Sequence, residues 1–176
     1  MKKQLLVTAF TLSTMVGVIS GAQASDGSIN FTGEVLDAAC TVDVGGSSPL
    51  TVDMGKVQKS AFTGDGSTAD TTKFTLKLSA CPETITKATV KFDGTSYSGD
   101  NTILALTSGT GVATGVGIQI LDSTNTVVPL DTASSAYTLV ATDENDLDFY
   151  ARYIQKGVDI VAGKADATAS FTIAYQ

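Results

Sequence analysis

The chain has 176 residues, with 11 basic and 18 acidic side chains, two cysteines and no histidine. A formal charge of −7 without basic clusters argues against nucleic acid and anionic membrane surfaces as partners. Without histidine, the usual general base and proton shuttle near neutral pH is missing.

Residues 1–24 read as a secretory signal. Lys2 and Lys3 form a positive start, residues 5–19 are apolar with small polar interruptions, and Ala22-Gln23-Ala24 is a small-residue cleavage site. The alternative is an uncleaved anchor, although the apolar run is short for a membrane span. Cleavage after Ala24 leaves 152 residues, with nine basic against 18 acidic side chains and a net charge of −9. That length suits one domain with its own core.

The next segment, residues 25–36, alternates. Gly27, Ile29, Phe31, Gly33 and Val35 share one face, the pattern of a strand over 29–36. Cys40 follows, with Cys81 further on. In an exported chain an even cysteine count reads as a disulfide, two buried free thiols being the alternative. The closed loop of about 42 residues is worth roughly 4 kcal/mol on the chain-entropy model.

Beyond the signal, helical periodicity is nearly absent, and Thr, Val, Ser, Gly and Asp dominate. Further strands are predicted at 50–54, 74–80, 88–92, 103–107, 116–121, 138–140, 147–154 and 167–175. Turn signals such as Gly45-Gly46, Asp93-Gly94, Gly99-Asp100 and Lys156-Gly157 separate them. The polar, Gly-rich stretch 60–72 is expected to be an exposed loop. About nine short strands at this spacing predict an all-β sandwich. In the last strand Ala167, Ala169, Phe171, Ile173 and Tyr175 fall on one face. It is expected to leave an uncovered edge. A free apolar strand near one end and an open edge at the other suggest a subunit that completes its neighbour.

Motifs for chemistry are weak. Residues 94–99 resemble a nucleophile elbow only faintly, with the wrong glycine spacing and no histidine to activate a serine. Gly109-Thr110-Gly111 and Gly115-Val116-Gly117 do not match phosphate-cradling loops and read as turn glycines. Asp143, Glu144, Asp146 and Asp148 lack the glycine and distal glutamate of a calcium loop and read as a solvated entry into a strand. Two cysteines without histidine leave little for zinc, so no metal or cofactor is expected. A carboxylate pair for glycoside chemistry has nothing in its favour. The sequon Asn30-Phe31-Thr32 lies inside the alternating segment and reads as chance.

Several stretches together resemble one family. They are residues 31–40 (FTGEVLDAAC), 117–122 (GIQILD), 149–153 (FYARY) and 165–176 with their closing Tyr175-Gln176. Over the whole processed chain the sequence resembles pilins of chaperone–usher fimbriae, most of all the shaft subunits of type 1 fimbriae. Such pilins carry a penultimate tyrosine and a glycine fourteen residues from the end, here Tyr175 and Gly163. The resemblance implies an incomplete immunoglobulin-like sandwich lacking its last strand, over residues 37–176. A periplasmic chaperone lends a strand, and at the outer-membrane usher the N-terminal extension of the next subunit replaces it. On that map Gly27, Ile29, Phe31, Gly33 and Val35 are the donor strand. Gly33 takes the family's small position and Val35 enters the pocket where exchange begins. Gly163, Phe171, Ile173 and Tyr175 belong to the acceptor groove. The implied function is structural and non-enzymatic: a fimbrial subunit displayed outside the cell that supports adhesion, with other pilins as partners. A minor adapter or ligand-binding pilin is the alternative, and a secreted β-sandwich hydrolase is a third class.

Overall fold

A computed structural model describes residues 29–33, 39–43, 49–157 and 159–176. The chain divides into two units, Met1–Val35 and Leu36–Gln176. Of the first, residues 29–33 are described; they form no strand. The strand predicted over 29–36 is therefore not found in its described part, none of which enters a ladder. Gly27 and Val35 lie outside the described residues, as do the signal and its cleavage site.

Among its described residues, the second unit contains nine strands: β1 (Thr41–Asp43), β2 (Thr68–Ser79), β3 (Lys87–Asp93), β4 (Ser96–Tyr97), β5 (Asp100–Leu104), β6 (Val116–Leu121), β7 (Tyr137–Thr138), β8 (Asn145–Gln155) and β9 (Ser170–Tyr175). A single 3-10 turn, Lys59–Ala61, accompanies them. No helix among the described residues is long and apolar enough to cross a membrane. One sheet has the order β1-β2-β8-β6-β5-β4 and the other β7-β3-β9, with every paired strand antiparallel.

Alternation decides which residues meet between the sheets. Leu76 and Leu78 of β2, Leu147 and Phe149 of β8, and Ala88, Val90 and Phe92 of β3 are all buried. Phe92 packs edge-on against Phe149, with ring centroids 5.0 Å apart, and against Phe74 at 6.1 Å. Tyr137 of β7 meets Phe149 at 5.4 Å. These aromatic contacts join the two sheets across one core. Cys40 and Cys81 are disulfide-bonded inside it and fasten the start of β1 to the end of β2.

Three elements differ from expectation. β2 begins at Thr68, within the predicted loop 60–72, because the long β8 offers a partner as far as Ile154. A bulge at Asp70, whose φ is +42°, absorbs the misfit. Residues 50–54 alternate in burial yet join no ladder. The elbow-like stretch supplies the short edge strand β4, Ser96–Tyr97, beside β5.

Polar side chains fasten the exterior. On β2 and β8, Lys73 pairs with Asp148 at 2.8 Å, while Lys77 pairs with Glu144 and, at 3.1 Å, with Asp146. The acidic run at 143–148 is thus a paired strand entry. After β6, the buried Asp122 organises a turn. Its Oδ1 accepts from the Thr124 and Thr126 amides and the Thr124 hydroxyl, and its Oδ2 from the Ser135 hydroxyl at 2.6 Å. Burial pushes this carboxyl up, and those hydrogen bonds outweigh it, so its pKa lies below the ordinary carboxylate value.

Candidate functional site

Among the described residues β9 has one neighbour, β3. Lys87 and Gln176 exchange both backbone hydrogen bonds at 2.9 Å, which fixes the phase of the β3–β9 ladder. By antiparallel alternation, Ala174, Thr172 and Ser170 bond to β3. The N–H and C=O groups of Tyr175, Ile173 and Phe171 then point away from it. No strand among the described residues pairs on that side.

The same three residues turn their side chains inward. From Ala165 to Tyr175 burial alternates strictly, with Ala165, Ala167, Ala169, Phe171, Ile173 and Tyr175 half-buried and packed against the core. None of them reaches full burial, in contrast with their cross-strand partners on β3. Burial raises the pKa of the Tyr175 phenol. Leu50, Met54, Val57 and Phe62, from the stretch before β2, are likewise half-buried against the same core. The vacant edge therefore borders a row of apolar side chains that are only partly covered.

A pocket of about 230 Å³ lies between the two stretches, lined by Val57 and Phe62 on one side and Ile160, Gly163 and Ala165 on the other, with Tyr153 and Val116. Two backbone segments nest to hold its wall. The Ala113 amide donates to Lys164 O and the Lys164 amide to Gly111 O, each at 2.8 Å. A Cβ on Gly163 would sit 2.5 Å from Ala113 N and from Gly111 O, so only glycine fits this approach. Gly115, at φ +77°, admits the carbonyl of Asp159, which any Cβ there would overlap. Sequence chemistry marks Gly115 as a turn glycine. Its positive φ was within reach of that reading, but its contact with residue 159 was not.

The remaining sequence-predicted residues fall in the first unit. Ile29 is 80% exposed and Phe31 91%. A Cβ on Gly33 would meet nothing within 4 Å, so no described residue requires glycine there.

Comparison with known proteins bears on this geometry. The family model described as "Fimbrial protein" matches residues 29–176. The type-1 fimbrial protein A chain of Escherichia coli (strain K12) is 36% identical over 175 residues, covering 97% of this chain and 95% of that protein. Among solved structures, a Burkholderia pseudomallei antigen and type I fimbria protein is 39% identical with a TM-score of 0.60, covering 84% of this chain and 96% of the other. The P pilus rod subunit PapA, at 22% identity, covers 79% of this chain and 100% of its own, with a TM-score of 0.64; it bears on the fold alone. The fold is an incomplete immunoglobulin-like sandwich, and among the described residues the edge beside β9 is vacant. The chain belongs to the fimbrial protein family and is a fimbrial subunit.

Proposed function

We propose that this subunit polymerises head to tail, the N-terminal segment of one copy lying in the vacant place beside β9 of the next. The observation that carries this reading is the open edge itself, with Phe171, Ile173 and Tyr175 half-covered beneath unpaired backbone. Ile29 and Phe31 suit the vacancy: burying each contributes about 1.5–3 kcal/mol, and each backbone bond to β9 adds roughly 0.5–1.5 kcal/mol net. Period two puts Gly27, Ile29, Phe31, Gly33 and Val35 on one face, and a one-residue slip would turn them all outward. Gly33 then serves a close approach in the neighbour, since no described residue of its own subunit demands it. Val35 enters the pocket walled by Gly163.

On this reading residues 1–24 are removed on export, 25–36 are the donor extension and 37–176 the acceptor domain. A chaperone strand covers the edge in the periplasm, and the exchange takes place at an outer-membrane usher. The role is structural and needs no catalysis. A contact that joins unlike surfaces does not close on itself, so it builds a fibre.

The deciding experiment deletes residues 25–31. The shortened subunit should accept a strand without donating one, so that co-expression with the intact chain shortens fibres seen by electron microscopy. Fibres of normal length built from the shortened subunit alone would overturn the reading.

A further inference from the structure

Four lysines are matched by carboxylates of the same subunit: Lys73 by Asp148, Lys77 by Glu144 and Asp146, Lys91 by Asp93, and Lys156 by Asp100. Lys56 and Lys59 are exposed and hold no ion pair among the described residues, yet both line the pocket at the end of the vacant edge. Asp166 lines the pocket too, and Asp53 lies close by, its Oδ1 accepting from the Gly55 amide at 2.9 Å. The pocket thus carries two lysines without a close ion pair among the described residues, beside the Tyr153 phenol at its wall, whose pKa is raised by burial and by the carboxylates of Asp166, Asp53 and Asp70.

The donor extension and the residue after it have the opposite character. Residues 25–37 contain Asp26, Glu34 and Asp37 and no lysine or arginine. Two of these acids flank Val35, the residue assigned above to the pocket. A strand advances about 3.3 Å per residue, so Glu34 lies one step from Val35 and Asp37 two. With Val35 seated, period two puts Asp37 on its face and Glu34 on the opposite one, each still within about one Debye length (~8 Å at physiological salt) of the pocket's charges.

We infer that Lys56 and Lys59 form an electrostatic receiving rim for the acidic extension of a second copy, recruiting Glu34 and so speeding the first docking of the strand. This rests on the donor-strand reading. Exposed pairs add little to final stability, so the effect belongs to the rate of encounter. It offsets, at one place, the mutual repulsion of two acidic subunits.

The test uses the full processed subunit, freshly refolded, and an excess of a synthetic peptide of residues 25–36. Association is followed by stopped-flow fluorescence of a labelled peptide. The wild-type rate should fall several-fold as salt rises from about 20 mM to about 500 mM. K56E/K59E should slow association about tenfold at low salt, with little change in dissociation. A Glu34→Lys peptide should recover most of that loss on the doubly substituted subunit while slowing on the wild type. Equal low-salt rates for both subunits, or an E34K effect identical on both, would overturn the inference and leave strand donation standing. Should K56E/K59E bind neither peptide, Lys59→Gln decides: a smaller slowing that salt abolishes supports the rim, and an unchanged rate refutes it. A wild-type subunit that captures no peptide refutes strand donation, and the rim with it.

Discussion

β3 and β9 are neighbours in one ladder, with matched registers and the same alternation, and they end up in different states. Ala88 and Val90 are fully buried and Phe92 is 4% exposed, while their partners Tyr175, Ile173 and Phe171 remain half-buried. The far edge of β3 is covered. β7 pairs with its first residues, the Ser134 amide donates to Val90 O, the Ser134 hydroxyl accepts from the Val90 amide, and the Asp131 amide donates to Phe92 O. The far edge of β9 has no such cover among the described residues. The apolar pattern of a strand therefore sets which side chains point inward, and the number of its neighbours sets how far they are buried. On the proposed reading, that shortfall is where the neighbour's strand binds.

The cross-strand pair Phe92 and Phe171 gives the sharpest way to break this contrast. Phe92→Ala removes a buried ring that touches both Phe74 and Phe149 and should cost about 3–5 kcal/mol. Urea denaturation of the strand-completed subunit measures it. A loss below about 1 kcal/mol would mean that this core is not tightly packed.

Gly115→Ala tests the pocket wall without touching an apolar side chain. The new Cβ overlaps Asp159 O at a backbone conformation that disfavours side chains, so a loss of about 2–3 kcal/mol is expected. Uptake of the extension peptide should slow as well. Unchanged uptake by the folded variant would detach the pocket from exchange.

Asp122 adds a pH dependence to the well-covered side of the molecule. Its folded pKa lies below the unfolded value of about 3.9, so its contribution is fully present above that value and is lost as pH falls through the folded pKa. Asp122→Ala strands four donors, should cost about 1–3 kcal/mol near neutral pH, and should flatten the fall in stability below about pH 4. Thermal melts across pH 2.5 to 7 would show it. An unaltered acid limb would assign that dependence to other carboxylates.

The smallest effect is expected at β9 itself. Phe171→Ala should cost only about 1 kcal/mol in the isolated subunit, where the ring is half-covered, and nearer 3 kcal/mol once a donor strand lies over it. Equal losses in the two states would mean that the strand does not cover this row.

The local pattern carried much of this protein. Alternation placed β3, β6, β8 and β9 within two or three residues of where they lie, and it put Phe171, Ile173 and Tyr175 on one face. The paired cysteines followed from export chemistry, and the family from short stretches along the chain. These are short-range or additive signals, legible because side-chain direction in a strand depends only on parity. Partnership was not legible. Whether residues 68–72 became loop or strand depended on the reach of β8, whose paired residues 151–154 lie far along the chain. Residues 50–54 have the alternation of a strand and no ladder. Gly115 and Gly163 look like any turn glycines until the segments around 111–115 and 159–164 are brought into backbone contact. The sequence by itself determined the periodicity, the apolar faces and the disulfide. Only the tertiary structure decided that, among the described residues, β9 was left with one neighbour above a half-buried apolar row, because hydrogen-bond partners and burial depend on what the rest of the chain places alongside.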